Sequence, residues 1–287
     1  MEGKVLIGCN GADRGTVALT QRICSLLNEA GLSPCVYGDD ADIAEVAEAT
    51  IVQSISECSH VVTIGGDGTI IKWGKLAAQH GIPLLGVNKG RLGFMATVEP
   101  SEIAEIPALL KNPPCISRRM LMECSIKRGS ETRLTKLVMN DVVISRDSVS
   151  KLPEFRIFCI HGGSETEVSR VRADGVILST PTGSTAYSLS AGGPILSPDL
   201  ECIEMTALCP HTLFNRPMIF SAAQQVAVRC RRYQNSRVTA SIDGEGGITF
   251  SEDDELWLEK SAHSLSLIEA GEGFYGAVHS KLMTPLK

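Results

Sequence analysis

The stretch with the clearest chemical potential is a glycine-rich turn around one carboxylate, Gly65-Gly66-Asp67-Gly68-Thr69. Four β-prone residues, 61–64, run into the turn, and residues 69–73 after it have a helical pattern. Glycine lets a phosphate or another backbone approach closely, and a strand–turn–helix of this kind can aim free N–H groups at an anion. Because glycines surround it, Asp67 is the side chain that is left to do chemistry. The turn predicts phosphate binding by its remaining residues, Gly65, Gly66, Gly68 and Thr69.

This turn differs from the common nucleotide-binding signatures. It does not have the pattern G-x-G-x-x-G, and no Gly-Lys-Ser/Thr follows it to make a Walker A loop. A plain structural turn in which Asp67 only caps the next helix is therefore an alternative to phosphate binding.

A second glycine-containing loop, 88–94, follows the next predicted strand. The carboxyl ends of parallel strands share one edge of a sheet, so we expect Lys89 and Arg91 on the same rim as Asp67. The loop then either helps to hold an anion or is only a tight turn with solvated charges.

A third stretch, Thr180 to Pro194, is rich in Thr, Ser and Gly and runs from a strand into a short helix. Hydroxyls and exposed N–H groups at a helix start suit a polar ligand that carries phosphate. An elaborate helix cap is the alternative, since Ser184 or Thr185 could cap the helix alone. Tyr187 could stack on a base or fill the core, and residue type alone favours the core.

Length and composition limit what carries these motifs. A chain of 287 residues predicts two domains, and 43% hydrophobic with 21% charged residues is typical of globular proteins. Its start leads directly into a strand without a signal-peptide pattern, so we expect a cytoplasmic protein, and no apolar run reaches the length of a membrane span. A net charge of −6 argues against nucleic-acid binding.

The ten cysteines are scattered, with no C-x-x-C pair, H-E-x-x-H motif or zinc-ligand spacing. They are expected to be small, buried, reduced thiols, and no metal site built from protein ligands is predicted.

The first part of the chain alternates strands with helices, which predicts a parallel α/β sheet. Apolar spacing places helices around Leu19 to Leu27, Ile43 to Ile51 and Ile103 to Leu110, and another from Thr69 to about His80. The predicted strands are Lys4–Cys9, Pro34–Tyr37, Val61–Ile64 and Pro83–Val87.

The pattern changes after Asn112-Pro113-Pro114, which marks the boundary between the two predicted domains. The second domain is predicted to be mainly β. Its predicted strands are Met120–Ile126, Lys136–Ser145, Phe155–Ile160, Val168–Arg172, Val176–Ser179, Gln225–Cys230, Val238–Asp243, Leu256–Leu258 and Leu265–Ile268.

Taken together, these motifs resemble the NAD kinase family. The glycine turn is also found in lipid kinases, whereas the block 180–188 in a β-rich domain is highly specific. The resemblance follows family order through 65–69, Asn140-Asp141, Asp174-Gly175, 180–188, 191–195, 209–213, Arg216-Pro217 and Asp243-Gly244.

The resemblance implies transfer of a phosphoryl group from ATP, or from polyphosphate in some members, to the 2′-hydroxyl of the adenosine ribose of NAD. It implies a Rossmann-like α/β domain over 1–112, completed by the returning tail 269–287, and a β-rich NAD-binding domain over 115–268. A divalent cation, Mg²⁺, is expected with the phosphoryl donor. A homo-oligomer, either a dimer or a tetramer, is also expected.

Carried over to this chain, the resemblance makes Asp67 the catalytic proton acceptor. The positions that then fall on the NAD site are Asp67, Gly68, Lys72, Asn140, Asp141, Lys151, Arg172, Asp174, Thr185, Ala186, Tyr187, Ser188, Leu189, Ser190 and Glu245.

The chain departs from the family pattern at two of these positions. Asp141 stands where the family usually has Glu, and Glu245 where it often has Gln. Two other functions are compatible with parts of the pattern. A lipid or sugar kinase of the same superfamily would share the glycine turn but not the motifs of the second domain. A non-catalytic NAD-binding regulator would need no Asp67.

Overall fold

A computed structural model describes residues 3–9, 14–37, 49–89, 93–147, 151–212, 215–231, 237–271 and 273–283. The chain divides into two compact units. Unit 1 contains Met1–Arg119 and His263–Lys287, and unit 2 contains Met120–Ala262.

Unit 1 is built on a parallel sheet. Its strands are β1 Lys4–Cys9, β2 Ser33–Tyr37, β3 Thr50–Val52, β4 His60–Ile64 and β5 Leu84–Val87. They run in the order β5-β4-β1-β2-β3, and residues Leu267 and Ile268 pair in parallel with β5 on its other side. The strands consist largely of buried Val, Leu and Ile because helices cover parallel sheets on both faces. The predicted parallel α/β arrangement is confirmed.

Among the described residues, three helices follow these strands: α1 Arg14–Glu29, α2 Asp67–His80 and α3 Ile106–Lys111. The predicted end of α2 is confirmed, and Gly81 closes this helix in the left-handed conformation at φ 66°. The helix predicted from Ile43 to Ile51 is wrong at its end, because Ile51 lies in β3. Its other positions, 43, 46 and 47, lie outside the described residues.

Unit 2 is mainly β, as predicted, and its strands form two antiparallel groups. One group has the order β13-β12-β11-β8-β15-β16, and the other joins β10, β9, β14, β17, β6 and β7. The bounds are β6 Cys115–Arg128, β7 Glu131–Val138, β8 Asp141–Arg146, β9 Glu154–His161, β10 Ser164–Arg172, β11 Gly175–Ser179, β12 Cys202–Leu208, β13 Met218–Ser221, β14 Gln225–Arg231, β15 Val238–Ile242, β16 Glu245–Phe250 and β17 Asp254–Glu269.

Alternate side chains from both groups meet in one core, which includes Met122, Ile144, Phe155, Leu178 and Val228. Every second residue of a strand faces the same side of a sheet, so each strand gives the core one of its faces. A short helix, α4 Tyr187–Ser190, interrupts the β structure after β11.

The structure corrects the strand predictions for the second part of the chain in three ways. The predicted strand Lys136–Ser145 is two strands, β7 and β8, separated by a turn at residues 139–140. The two short strands predicted at the end are one long strand, β17, whose exposed polar residues between 259 and 264 concealed its continuity. Strands β12, β13 and β16 were not predicted.

Two further observations concern composition. All ten cysteines are free thiols, and seven of them are buried. Within the described residues, no helix has both the length and the apolar character that crossing a lipid bilayer requires.

Candidate functional site

The Gly65–Thr69 turn lies at the carboxyl end of β4 and opens helix α2. Asp67 is the first residue of the helix, and the Thr69 N–H donates a hydrogen bond to the Gly66 carbonyl at 3.0 Å. A side chain at Gly65 would meet the Thr69 hydroxyl at 2.3 Å, so this position has no room for one. The first N–H groups of a helix lack intrahelical partners, which makes this turn a place where an anion can bind.

The Asp67 carboxylate is held by the loop after β5. Its Oδ2 accepts a hydrogen bond from the Phe94 N–H at 3.1 Å, and its Oδ1 accepts one from the Met95 N–H at 3.3 Å. A Cβ at Gly93 would lie 2.0 Å from Asp67 Oδ1, so the loop can come this close only with glycine there. The expectation that the two loops share one rim is therefore confirmed by direct contact.

The cations near this turn are placed differently from one another. Lys72 is exposed, and its ammonium lies 5.3 Å from the centroid of the Trp73 ring. Lys89 is also exposed, and Arg91 lies outside the described residues. Asn88, at the start of the same loop, is buried and donates from Nδ2 to Glu99 at 3.0 Å, which is a structural role.

In unit 2, the turn before β8 is organised by Asp243. The Asp243 carboxylate accepts hydrogen bonds from the backbone N–H groups of Met139, Asn140 and Asp141, the shortest at 2.7 Å from Asn140. In return, the Asp243 N–H donates to the Asp141 carbonyl at 2.9 Å. Asp243 has a left-handed conformation, φ 50°, that Asp tolerates better than most residues. One carboxylate therefore fixes three consecutive backbone groups.

The Thr180 block packs against the same turn. The Thr180 hydroxyl donates to the Met139 carbonyl at 2.6 Å, and the Thr180 N–H donates to the Asn140 carbonyl at 2.8 Å. A Cβ at Gly183 would lie 2.1 Å from the Asn140 carbonyl oxygen. Two motifs that lie far apart in the sequence are thus joined in one structure.

A cavity of about 450 Å³ lies beside this structure, and it brings together four of the residues predicted to bind NAD. These four are Asn140, Asp141, Ala186 and Tyr187. The buried Oδ1 of Asn140 has no hydrogen-bond partner among the described residues, and a buried acceptor normally has one. The cavity is completed by Val143, Ser145, Ser241, Asp243 and Gly244.

Tyr187 corrects a prediction made from residue type. Its side chain is 48% exposed, so it does not fill the core. As a lining residue of the cavity, it presents an aromatic ring that can stack on a flat ligand.

Asp141 is a buried carboxylic acid at the edge of this cavity. Burial raises the pKa of Asp141 to about 7, and the nearby negative charge of Asp243 adds to this rise. Near neutral pH, the group is therefore divided between a form that can donate a hydrogen bond and one that only accepts.

The other predicted residues of unit 2 do not line this cavity, and the structure gives several of them protein partners. Asp174 forms an ion pair with Arg146 at 2.7 Å, and Glu245 forms an exposed one with Lys136 at 3.2 Å. Arg172 lies 3.8 Å from Glu154. Lys151, Leu189 and Ser190 are exposed or half-buried, and the Thr185 hydroxyl donates to the Thr182 carbonyl at 3.2 Å.

Ser188 faces inward instead. Its hydroxyl donates to the buried Glu204 carboxylate at 2.5 Å and lies 3.1 Å from the Thr206 hydroxyl. Burial raises the pKa of Glu204, while its hydrogen bonds with Ser188 and Thr206 lower it. Ser188 therefore fixes α4 to β12 rather than opening toward the cavity.

Asp243 is the main residue that the sequence reasoning left out of the site. The signal for it was the Asp243-Gly244 dipeptide, which is typical of a turn between two strands. Its partners, residues 139–141, lie about a hundred positions earlier in the chain, so no local pattern could reveal them.

Comparison with known proteins gives consistent results. Residues 5–112 match the family model for the ATP-NAD kinase N-terminal domain, and residues 139–270 match the model for the ATP-NAD kinase C-terminal domain. The NAD kinase of Citrifermentans bemidjiense is 35% identical over 242 residues, which are 84% of this chain and 82% of that protein.

Solved structures share the fold. Yeast NADH kinase in complex with NADH has a TM-score of 0.85 at 24% identity and covers 99% of this chain and 89% of its own. An NAD kinase from Archaeoglobus fulgidus in complex with ATP has a TM-score of 0.72 at 20% identity, with 96% and 99% covered.

Proposed function

The chain belongs to the NAD kinase family, and from this membership we propose that it transfers the terminal phosphoryl group of ATP to the 2′-hydroxyl of the adenosine ribose of NAD. The observation that carries the proposal is the position of Asp67. It is a carboxylate at a helix N-terminus, in a turn of glycines, oriented by two backbone N–H groups. Such a group can hold a hydroxyl in line with a phosphoryl donor.

In the proposed reaction, Asp67 accepts the proton of the ribose 2′-hydroxyl as the bond between that oxygen and the γ-phosphorus forms. The bond between the γ-phosphorus and the bridging oxygen breaks, and its electron pair leaves with ADP. Phosphoryl transfer depends on in-line positioning and charge stabilisation more than on covalent help from the protein. Gly66 and Gly68 are exposed, and the first N–H groups of a helix lack intrahelical partners, so this segment can supply such stabilisation without a side chain.

Binding of NAD is assigned to unit 2. The volume of the cavity beside Asn140, about 450 Å³, lies within the usual range of small-molecule pockets. The unpaired Asn140 Oδ1 offers an acceptor to a hydroxyl or amino group, Asp141 offers a carboxyl, and Tyr187 offers a ring for a base. Lys151, Arg172, Asp174 and Glu245 remain proposed contacts for parts of the dinucleotide beyond this cavity.

Mg²⁺ is proposed to arrive with the phosphoryl donor. Among the described residues, no group of three or more His, Cys, Asp or Glu side chains is arranged to hold a metal. Mg²⁺ is often bound mainly by phosphates and waters, so the proposal does not depend on a dedicated set of protein ligands. When bound, it would neutralise donor charge beside the single carboxylate of the turn.

The proposal takes ATP as donor and NAD as acceptor. It is supported by a relative named NAD kinase and by a structural neighbour that binds ATP. A neighbour crystallised with NADH makes the reduced dinucleotide a second candidate acceptor. Polyphosphate is a second candidate donor. For the assembly, a homo-oligomer is proposed, and light scattering on the purified protein would test it.

The direct experiment incubates the purified protein with Mg²⁺, NAD or NADH, and either ATP or polyphosphate. The product is measured with a dehydrogenase that uses only NADP(H). We expect NADP from NAD and ATP, and no NADP without a donor. A lipid or sugar kinase would phosphorylate members of a substrate panel but not NAD, and a regulator would bind NAD without turnover.

A further inference from the structure

The end of the chain carries a lysine that no motif indicated. Helix α5, Gly273–Val278, continues directly into a short π-helix, His279–Met283, within unit 1. Turns of π-helix are rare and occur often at functional sites. The half-buried Lys281 projects from this turn, and its ammonium lies 4.2 Å from the centroid of the Phe94 ring.

The contact with Phe94 places Lys281 beside the catalytic turn. The Phe94 N–H is one of the two donors that orient the Asp67 carboxylate, so the ring under Lys281 belongs to the residue that holds Asp67. Burial lowers the pKa of Lys281, whereas the negative charges of Asp67 and Glu99 act in the opposite direction. The ammonium of Lys281 is thus within the electrostatic field of the proposed base.

The charges of the proposed reaction favour a further cation at this place, in addition to the Mg²⁺ proposed to arrive with the donor. Asp67 is an anion, and the phosphoryl group that approaches it brings further negative charge, so the two repel each other. The glycine turn carries no cation of its own. Lys72, the nearest lysine along the sequence, has its ammonium over the Trp73 ring. A flexible lysine at the edge of the turn can reduce this repulsion as the phosphoryl group moves.

We propose that Lys281 is a catalytic residue whose ammonium contacts the phosphoryl group in transfer beside Asp67. This inference rests on the proposed function. It assigns the C-terminal segment of the chain to the donor-phosphate site, although that segment lies far from every motif of the sequence. The competing explanation is a structural one, in which Lys281 only braces the Phe94 ring and so keeps the loop in place.

The test compares Lys281→Met, Lys281→Arg and Phe94→Leu. Methionine keeps most of the length and apolar packing of lysine without its charge, arginine keeps the charge, and Phe94→Leu removes the ring under the ammonium. Lys111→Met is the matched control, because Lys111 is an exposed lysine of unit 1 whose ammonium donates a hydrogen bond to the Ala30 carbonyl at 2.7 Å. For each protein, single-turnover rates, melting temperature and the Kd for NAD by calorimetry are measured.

Loss of one preorganised electrostatic group typically lowers turnover by about 10²–10³-fold. We therefore expect a loss of about this size in Lys281→Met, with the Kd for NAD within about twofold of wild type, and substantial recovery in Lys281→Arg. Lys111→Met should retain the wild-type activity, and Phe94→Leu, which keeps the charge of Lys281 but removes the ring beneath it, should lose less activity than Lys281→Met. In Lys281→Ala, ethylammonium should restore turnover with saturation while leaving the melting temperature unchanged.

Three outcomes would overturn the inference. One is wild-type turnover in Lys281→Met, and another is absence of rescue of Lys281→Ala by ethylammonium. The third is that Lys281→Met and Phe94→Leu show the same loss of activity and the same drop in melting temperature. These outcomes are separate from failure of the proposed function. That failure would appear as absence of NADP formation by the wild-type protein with every donor, before any variant is made.

Discussion

The Asp67 turn of unit 1 and the Asn140–Asp141 turn of unit 2 are both held in place by a carboxylate, but the two carboxylates differ in what else they are proposed to do. Each stands at an end of a β-strand, and in each a carboxylate accepts hydrogen bonds from backbone N–H groups of another segment. In unit 1, the organising carboxylate is also the one proposed to do the chemistry. In unit 2, Asp243 organises the turn, and Asp141 presents a separate carboxyl to the cavity.

This difference makes the two turns unequal under mutation. In unit 1, orientation of the loop and acceptance of the proton depend on one side chain, so a substitution affects both. In unit 2, the two duties can be removed one at a time, at Asp243 or at Asp141. The same conservative change at the two organising carboxylates, Asp to Asn, is therefore the sharpest comparison.

The largest effect is expected from Asp67→Asn. An amide cannot accept the ribose proton, and a general base typically contributes about 10²–10⁴-fold. We expect kcat to fall by this range, while the Kd for NAD changes little because the cavity residues are intact. Steady-state kinetics together with calorimetry measure both quantities. Near-normal kcat in this variant would remove Asp67 from the role of base.

A smaller effect is expected from adding one methyl group beside each turn. At Gly93 the new Cβ meets the end of the Asp67 side chain, and at Gly183 it meets the backbone at Asn140. The side chain can rotate away, but the backbone cannot. Gly93→Ala should therefore lower kcat by about 10²-fold, since displacement of a catalytic group by about 1 Å can cost this much, and keep its melting temperature.

Gly183→Ala should show the opposite pattern, with a lower melting temperature and weaker NAD binding. Thermal unfolding and kcat, measured on both alanine variants, check the pair. If Gly93→Ala lost stability as Gly183→Ala does, the distinction between a flexible and a rigid neighbour would not hold.

For Asp243→Asn, we expect weakened binding with turnover retained. A hydrogen bond to the charged Asp243 carboxylate stabilises the ordered turn by about 1.5–3 kcal/mol, and loss of that amount from the conformation that binds NAD corresponds to roughly tenfold or more in affinity. The KM for NAD should rise by this factor, and kcat at saturating NAD should stay close to wild type. A variant with lowered kcat and unchanged KM would contradict the separation of duties in unit 2.

The local part of this architecture could be predicted from the sequence, and the nonlocal part could not. A run of β-branched residues before glycines is enough to predict β4 and the turn at Asp67, because both depend on neighbouring residues. The hydrogen bonds from Asp243 to residues 139–141 link segments about a hundred positions apart. Strand β17 was also divided in the prediction, because polar residues at its middle are tolerated where one face is exposed.

The position of Tyr187 and the role of Lys281 had no signal of their own. An aromatic residue among small polar ones is compatible with a core or a surface position, and only the packing of α4 decides between them. Lys281 lies in a segment without a motif, and it becomes significant only through the ring of Phe94. Function was therefore easier to infer than the full set of residues that perform it.

The raised pKa of Asp141 predicts that the stability of the fold depends on pH. Its pKa in the folded protein, about 7, is above its ordinary value of 3.8 because burial favours the protonated form. As pH rises between these two pKa values, the Asp141 carboxyl loses its proton in the unfolded chain before it does so in the folded protein. The free energy of unfolding therefore falls by up to about 1.4 kcal/mol per pH unit. Above pH 7 the effect is constant. Asp141→Asn should flatten the stability profile between about pH 4 and 7, as measured by urea unfolding, and an unchanged slope would contradict the assignment.

The smallest effect is expected from Glu245→Gln, which restores the residue that the family often has at this position. Glu245 is exposed and pairs with Lys136 at 3.2 Å, with both side chains largely in solvent. Exposed ion pairs contribute little to stability, and Glu245 does not line the cavity beside Asn140. The melting temperature should therefore stay within about one degree of wild type, and the KM for NAD should change by no more than about threefold.

If Glu245 repels a phosphate of the dinucleotide, the change is a decrease in KM that shrinks with added salt. Lys136→Met is the matched variant, because it removes the partner and leaves the carboxylate: it should raise KM if that repulsion exists. A large rise in KM for Glu245→Gln would instead show that the carboxylate itself accepts a hydrogen bond from NAD, and unit 2 would then hold its ligand through more than the cavity beside Asn140.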